Sequence, residues 1–260
     1  MPLCVQQACG SFMKRLKKIL TLMIGLLPFT RLKPFFLNRL GHCVSKSARI
    51  GVNVLKIDKL EIEDGAWIGH FNIIQIDKLC IKRKGGIVRF NKLKGPFDVV
   101  LGPGASIGRK NSFVRAKNGY KFGKSIFTMD EKSNLVGNNF FDLTRSIKIG
   151  KGTVIGGVLG SFWTHGFYHS DNSFDRIRID GEIVIGDFVY IGSSCLINPG
   201  VSIVSGAHIG SGATVSKSIE SKGMYVSQAL RRIDVTFEDV KSKLDLDGLD
   251  GATEVYLKRM

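Results

Sequence analysis

Two of the five histidines, His165 and His169, lie four residues apart in a segment rich in aromatic and polar residues, 162–178. Imidazole titrates near neutral pH, so a histidine in such a loop is a candidate general base that takes a proton from a hydroxyl or an amine. Asp171 and Asp175 belong to the same segment, and either carboxylate could orient an imidazole. A surface histidine without a role and a solvated carboxylate are the alternative interpretations.

The other residues with reactive side chains do not group into a site. His42, His70 and His208 stand at or before positions of a repeat, where a structural role is the simpler interpretation. The five cysteines are scattered and form no CxxC pair, which predicts free thiols in a reducing cytoplasm and no metal site. The sequence has no glycine-rich phosphate loop, which argues against the use of ATP.

The charge of the chain favours an anionic partner. Lysine and arginine outnumber aspartate and glutamate, 38 to 22, and the formal net charge is +16. Such a balance attracts phosphorylated cofactors and substrates, acidic lipid headgroups or nucleic acid. No motif of a nucleic-acid-binding domain is present, so nucleic acid is not predicted as a partner. A generally basic surface is the alternative.

A period of six residues dominates the chain from Ile50 onward. Its clearest run is a series of aliphatic residues, each six after the last: Ile179, Ile185, Ile191, Ile197, Ile203, Ile209 and Val215. Small residues stand four positions after most of them: Val189, Cys195, Val201, Ala207 and Ala213. Shorter runs repeat the pattern at Ile62, Ile68 and Ile74, at Leu101, Ile107 and Phe113, and at Ile149 and Ile155.

This repeat predicts an all-β fold, a parallel β-helix. A six-residue period fits neither an α-helix nor a strand that alternates every two residues. It does fit a triangular coil of about 18 residues, in which an aliphatic side chain points inward from each face and coils stack around one core. The 31 glycines, against 6 prolines, suit the many tight turns of such coils.

The register of the repeat breaks twice, at residues 82–98 and 162–178. A segment expelled from a repetitive scaffold is a common location for a functional site. After Val215 the pattern ends and the chain becomes charged, and residues 245–251 are predicted to be a polar tail. We therefore predict three regions: a basic amphipathic helical segment at 1–44, the β-helix at 45–216 and a C-terminal extension at 217–260.

The N-terminal segment contains an apolar stretch flanked by bases. The stretch covers residues 19–29, whereas a helix that spans a membrane needs about 20 residues. The flanking bases are Lys14, Arg15, Lys17, Lys18, Arg31, Lys33 and Arg39. This composition is typical of a helix that lies on an anionic membrane. A helical cap that packs on the domain or on another subunit is an equally good interpretation.

The block from residue 179 to 233 resembles the C-terminal signature of the hexapeptide-repeat acyltransferases, and in particular of the sugar O-acetyltransferases that modify bacterial surface polysaccharides. The sequence Ser161-Phe162-Trp163-Thr164-His165-Gly166 is similar to the active-site histidine loop before the final coils of that family. The chain departs from the family pattern at Tyr190, where many relatives carry tryptophan, and at Val204-Ser205, where Gly-Asp is expected.

The resemblance implies a left-handed β-helix, a homotrimer and acetyl-CoA as the donor, bound in a groove between neighbouring subunits. It implies His165 as the catalytic base, with His169 in reserve. The small residues expected to line the pantetheine groove are Gly192, Ser193, Ser194, Gly210 and Ala213. The bases expected near the phosphates are Lys217, Lys222, Arg231 and Arg232. Turn chemistry and a solvated basic tail are the alternatives for these two groups.

These features predict an acetyl-CoA-dependent acetyltransferase, in the cytoplasm or at the inner face of the membrane. The predicted acceptor is a sugar hydroxyl of a cell-surface polysaccharide or of its lipid-linked precursor, because the basic N-terminal segment favours a membrane-borne or polyanionic acceptor. N-acetylation of an amino-sugar nucleotide is the second interpretation. A non-catalytic β-helix scaffold, or a metal enzyme of the carbonic-anhydrase type with converging histidines, is the alternative from another class.

Overall fold

The computed structural model describes the backbone of residues 3–116, 123–227, 239, 244–250 and 253–258, and the side chains of residues 13–116, 123–227 and 239. The chain divides into two compact units, Met1–Ser227 and Gln228–Met260.

The first unit is a left-handed parallel β-helix, and its three sheets confirm the predicted fold. The first sheet contains Cys43–Val44, Lys59–Ile62, Lys78–Ile81, Phe97–Leu101, Ser125–Met129, Ile147–Ile149, Ile183–Ile185 and Ser202–Ile203. The second sheet contains Arg49–Ile50, Trp67–Ile68, Gly86–Ile87, Ser106–Arg109, Asn134–Gly137, Val154–Ile155, Tyr190–Ile191, His208–Ile209 and Met224–Tyr225. The third sheet contains Val54–Leu55, Ile73–Gln75, Lys92–Lys94, Ser112–Val114, Phe140–Asp142, Ser161–Phe162, Leu196–Ile197 and Thr214–Val215.

One strand from each sheet makes a coil. The turn from the first sheet to the second is called the first corner, the turn from the second to the third is the second corner, and the turn from the third back to the first is the third corner. Val184 pairs with Ser202 and Tyr190 pairs with His208, so the last coils repeat every 18 residues, as the sequence predicts. The coils begin at Cys43 and continue to Tyr225, past the predicted boundary at residue 216.

The aliphatic residues of the repeat face the interior. Six of the seven in the main run are at most 7% exposed: Ile185, Ile191, Ile197, Ile203, Ile209 and Val215. The small residues that follow them are buried as well. Ile179 is the exception and was predicted wrongly: it is 53% exposed, because it belongs to a hairpin outside the coils.

A ladder of buried asparagines runs along the second corner. Its rungs are Asn53, Asn72, Asn91, Asn111 and Asn139. The side-chain oxygen of each accepts the backbone N–H of the next, at 2.8 to 3.0 Å, and the last accepts the N–H of Gly160 at 2.8 Å. The ladder therefore satisfies backbone groups that the tight corner leaves inside the protein.

A column of phenylalanines aligns the middle coils of the third sheet. The ring of Phe141 stacks on Phe113 at 4.7 Å and on Phe162 at 4.5 Å. These spacings approach the roughly 4.8 Å between neighbouring strands, so the rings stack in step with the coils. The column fixes the strands from which Asp142 and Trp163 emerge at the third corner.

Of the two segments predicted to leave the scaffold, only the second does so, as a hairpin at the third corner. Phe97 pairs with Ser125 and Ile147 pairs with Ile183, so two coils contain many more residues than the others. The prediction that residues 82–98 leave the scaffold is wrong. Ile87, Leu93 and Phe97 are fully buried there, since the lysines and glycines of this segment occupy outward and corner positions.

Two helices precede the coils: α1 at Leu3–Leu26 and α2 at Lys33–Arg39. Together they form the helical segment that the sequence predicts. Neither described helix combines the length and hydrophobicity that are needed to cross a bilayer.

Helix α1 closes the N-terminal end of the asparagine ladder. The carbonyl oxygen of Gly25 accepts the backbone N–H of Asn53 at 2.9 Å, and a Cβ at Gly25 would lie only 2.7 Å from the Asn53 oxygen. The buried Lys33 ammonium donates to the Gly25 carbonyl at 2.8 Å and also to that of Gly51. Glycine at position 25 thus lets the helix approach the first coil directly.

The second unit contains an antiparallel pair of strands. Leu244–Asp250 pairs with Thr253–Lys258. The prediction of a polar tail at 245–251 is therefore wrong, because most of that segment is a β-strand.

Candidate active site

The larger expelled segment is a β-hairpin that leaves the third corner. Strand His165–His169 pairs antiparallel with Arg176–Asp180, and His165 lies opposite Asp180 at the base of the hairpin. Phe162 is still fully buried in the third sheet. The chain therefore leaves the scaffold just before His165, so that this histidine is held by the rigid coils while its side chain remains 25% exposed.

Asp142 holds the ring of His165. Its Oδ2 lies 2.7 Å from His165 Nδ1, and the carboxylate is itself only 5% exposed. Because an ionised carboxylate accepts hydrogen bonds and cannot donate them, this contact places the ring proton on Nδ1. The Nε2 atom is then the basic nitrogen of the imidazole.

Two threonines hold the carboxylate in turn. Thr164 donates to Oδ2 from its backbone N–H at 3.0 Å and from its hydroxyl at 2.7 Å. Thr144 donates to Oδ1 from its hydroxyl at 2.8 Å and from its backbone N–H at 3.2 Å. Burial alone would raise the pKa of Asp142, but hydrogen bonds from His165, Thr164 and Thr144 outweigh it and hold the pKa below its ordinary value. Asp142 is therefore ionised at neutral pH.

Two aromatic rings flank the imidazole. The ring centroid of His165 lies 6.0 Å from that of Trp163 and 5.8 Å from that of Phe167. Trp163 is 38% exposed and Phe167 is 40% exposed. Phe140 supports the indole at 4.9 Å, and the guanidinium of Arg176 lies 4.6 Å above the ring of Phe167. The basic nitrogen is thus bordered by partly exposed aromatic surface.

The structure places the other candidates of this segment away from His165. His169 lies at the far end of the strand, which is about 13 Å from His165 at the ordinary rise per residue. Asp171 and Asp175 are exposed in the turn beyond it, where the Asp175 side chain accepts a hydrogen bond from Ser173 at 2.9 Å. The carboxylate that orients His165 is Asp142, which comes from the preceding coil.

The residues predicted to line the pantetheine groove lie at the second corner. Gly192, Ser193 and Ser194 form the turn of one coil, and Gly210 and Ala213 belong to the turn of the next. A Cβ at Gly192 would lie 2.8 Å from the backbone nitrogen of Ser211. The stacking of the coils is therefore enough to require glycine at this position. A strand of the third sheet separates this corner from the corner that carries His165, and one chain does not bring the two groups together.

The bases predicted near the phosphates are spread out. Lys217 is exposed at the third corner, and Lys222 is exposed with its stem 3.6 Å from the position of a Cβ at Gly206, at the first corner. Arg231 and Arg232 lie outside the described residues. Within the described ranges, no three histidine, cysteine, aspartate or glutamate side chains are close enough to hold a metal ion.

Comparison with known proteins finds the bifunctional protein GlmU and several acetyltransferases. No family model matches the chain. The bifunctional protein GlmU of Pseudomonas putida (strain GB-1) is 28% identical over 196 residues, which cover 73% of this chain and 39% of that protein. A chloramphenicol acetyltransferase of Escherichia coli is 34% identical over 90 residues, which cover 34% of this chain and 43% of that enzyme. The chain spans less than half the length of these curated relatives.

The solved structures that match carry related descriptions. A maltose O-acetyltransferase from Clostridium difficile 630 is 16% identical, with a TM-score of 0.30, over 86% of this chain and 88% of that one. The polySia-specific acetyltransferase NeuO is 16% identical, with a TM-score of 0.32, over 75% of this chain and 85% of that one. By its own three parallel sheets the chain is a left-handed β-helix protein, and the curated proteins to which it is similar include acetyltransferases, in keeping with the resemblance to the hexapeptide-repeat acyltransferases that its sequence predicts.

Proposed function

We propose that this protein is an acetyl-CoA-dependent acetyltransferase in which His165 is the general base and Asp142 positions it. The observation that carries the proposal is the His165–Asp142 contact of 2.7 Å at the base of an expelled hairpin. The names of the curated relatives support acetyl transfer as the reaction. A non-catalytic scaffold has no need of an ionised, nearly buried carboxylate aligned on a solvent-accessible imidazole.

The geometry supplies the proton transfers that the reaction needs. His165 Nε2 takes the proton of the acceptor hydroxyl as its oxygen attacks the thioester carbonyl of the donor. The carbon–sulfur bond then breaks, and the imidazolium returns the proton to the sulfur of the leaving CoA. Asp142 stabilises the imidazolium between these steps and keeps the ring in the tautomer that leaves Nε2 basic. Base and acid are thus the same residue, and the reaction needs no metal ion.

We propose a sugar hydroxyl as the acceptor. The support is the partly exposed pair of rings, Trp163 and Phe167, on either side of His165. Apolar surface beside a few polar groups is typical of a small-molecule site, and a sugar ring can lay its apolar face on such rings. The acceptor would then present one hydroxyl to Nε2.

We also propose that the active site forms between copies of the chain in a homotrimer. His165 and the predicted pantetheine residues lie at different corners of the coils, and a neighbouring copy can bring its second corner beside the third corner that carries His165. A groove shared by two subunits, as the family resemblance implies, resolves this separation.

The cellular location that fits this function is the cytoplasm, with peripheral contact at the inner face of an anionic membrane. Acetyl-CoA is available there, and the basic charge of the chain, +16 in all, favours an acidic surface.

Replacement of His165 tests the proposal. His165→Ala is expected to lower kcat by roughly a hundred- to ten-thousand-fold, which is the usual contribution of a general base. The KM for acetyl-CoA should change little, since the side chain lies outside the core. The measurement is the release of the CoA thiol in the presence of a saccharide acceptor.

His169→Ala is the matched control, because it removes an exposed histidine of the same strand. It should retain the rate of the unmodified protein. An unchanged rate in His165→Ala would end the assignment, and loss of activity in His169→Ala alone would move the role to the hairpin's far end.

A further inference from the structure

The two N-terminal helices and their connection expose a set of large apolar side chains, which we call the apolar face. On α1 its residues are between 36% and 60% exposed: Met13, Leu16, Ile19, Leu20, Met23 and Leu26. The connection and α2 extend it with residues between 37% and 61% exposed: Leu27, Phe29, Leu32, Phe35 and Phe36. Within α1 the spacing of three, four and seven residues places these side chains on one side of the helix.

The opposite side of α1 is fixed to the β-helix. Thr21 is fully buried, and its hydroxyl lies 2.9 Å from Nε2 of His42. The carbonyl of Gly25 accepts the N–H of Asn53, and Lys18 forms an ion pair with Asp58 at 3.0 Å. These contacts set the rotation of the helix, so that the apolar face is directed away from the coils. The helix thus caps the first coil and still has a free apolar side.

The charge around the apolar face is uniformly positive. Arg15 lies at one edge of the α1 arc and Lys17 at the other, and Arg31 and Arg39 are exposed beside α2. No aspartate or glutamate precedes Asp58 in the sequence. A second copy of the chain would bring like charges together on this face, whereas anionic headgroups would neutralise them.

We propose that the apolar face is a docking surface for a lipid bilayer that contains anionic lipid. The apolar side chains enter the boundary between headgroups and acyl chains, and the flanking bases contact the phosphates. The helix lies in the plane of the membrane and remains bonded to the first coil. The sequence offers membrane binding and capping as alternatives. In this proposal one side of α1 binds the membrane and the opposite side caps the first coil.

Vesicle sedimentation with the full chain tests the proposal. The protein should bind vesicles of phosphatidylcholine with phosphatidylglycerol more tightly than vesicles of phosphatidylcholine alone, and less tightly as salt screens the charges. The double variant Ile19→Ser, Met23→Ser should bind the anionic vesicles at least about tenfold more weakly, because two side chains that enter the bilayer are lost. Arg15→Gln with Arg31→Gln should lower binding roughly twenty-five-fold on these vesicles, at about fivefold per base.

The matched control changes two apolar residues elsewhere that are at least as exposed as Ile19 and Met23. Phe174→Ser with Ile177→Ser alters the hairpin and should leave vesicle binding unchanged. Thermal unfolding of every variant should match that of the unmodified chain, since all four apolar positions are exposed.

Two outcomes would overturn the proposal. One is equal binding, or no binding, to the two kinds of vesicle. The other is a change in oligomeric state for the Ile19, Met23 double variant with its vesicle binding unaltered, which would identify the apolar face as a contact between copies. Acetyl transfer to a water-soluble acceptor is measured without lipid, so the proposed activity and this proposal fail independently.

Discussion

At the scale of single residues, Asp142 determines which nitrogen of His165 is basic. An asparagine at position 142 has nearly the same shape, but its amide group can donate a hydrogen bond to Nδ1 and favour the tautomer with the proton on Nε2. Asp142→Asn is therefore expected to lower kcat by roughly a hundred- to ten-thousand-fold. The KM for acetyl-CoA should be unaffected. Steady-state kinetics with both substrates varied separates these two effects.

The control for this prediction is Asp171→Asn, which neutralises an exposed carboxylate of the hairpin turn. It should leave kcat unchanged. If Asp171→Asn lowered kcat and Asp142→Asn did not, the orienting carboxylate would lie in the hairpin after all.

The sequence predicts His165 but not its partner. His165 stands out because it lies in an aromatic and polar segment that breaks the repeat, in a sequence similar to the family's active-site histidine loop. Asp142 lies 23 residues earlier and is one of many acidic residues at the end of a strand. The signal that could have found it is the register of the third sheet: Phe141 pairs with Phe162, so Asp142 must lie beneath Trp163 and Thr164. Asp171 and Asp175 were favoured because they are close to His165 in the sequence, but both lie in the hairpin turn, away from His165.

At the scale of elements, the junction between the helical cap and the first coil contains a histidine that must stay neutral. His42 is 4% exposed, its Nδ1 accepts the N–H of Leu60 at 3.1 Å, and its Nε2 contacts the hydroxyl of Thr21. Burial, with the charges of Lys17 and Lys59, lowers the pKa of His42 from 6.5 to about 4. A proton on Nδ1 would face the backbone N–H of Leu60, and two donors cannot form a hydrogen bond with each other. The link between α1 and the first coil therefore depends on the neutral imidazole.

This gives a prediction for stability against pH. Between about pH 6.5 and pH 4 the unfolded chain binds the proton and the folded protein does not, so the free energy of unfolding falls as the pH is lowered through that window. The loss reaches at most about 3 kcal/mol, given 1.36 kcal/mol per unit of pKa difference. His42→Gln has no titrating group there and should flatten this part of the profile. Denaturant unfolding at a series of pH values measures both proteins.

The comparison with the unmodified chain removes the effects of carboxyl groups that titrate in the same range. Parallel profiles for the two proteins would show that His42 is not responsible. His70→Gln provides a second comparison, because His70 is more exposed at the second corner.

The period of six predicts the coils because it specifies only the residues that point inward. Ile81, Ile87, Leu93 and Val99 keep the spacing through the segment that was predicted to leave the scaffold, and all four are fully buried. The lysines and glycines between them obscured the pattern, although the outward and corner positions tolerate such residues. The asparagine ladder was not foreseen, since each rung is a single residue whose role appears only when the coils are stacked.

At the scale of the whole molecule, the separation of the two predicted groups is the main argument for an assembly. The second corner carries Ser193 and Ser194, the third corner carries His165, and a strand of the third sheet lies between them in every copy. A cyclic assembly makes the same contact at each interface, so it can bring the second corner of one subunit to the third corner of the next. Each active site would then contain His165 from one chain and the pantetheine groove from its neighbour.

Mixed assemblies test this arrangement directly. His165→Ala removes the base, and Ser194→Trp fills the groove from an exposed position, so each variant alone should be inactive. When the two are co-expressed in equal amounts, about a quarter of the interfaces should pair an intact base with an intact groove, and about a quarter of the normal activity should return. If each site lay within one chain, mixing would restore nothing. Light scattering should show the mass of a trimer for both variants and for the mixture, and a stable, fully active monomer would contradict the arrangement.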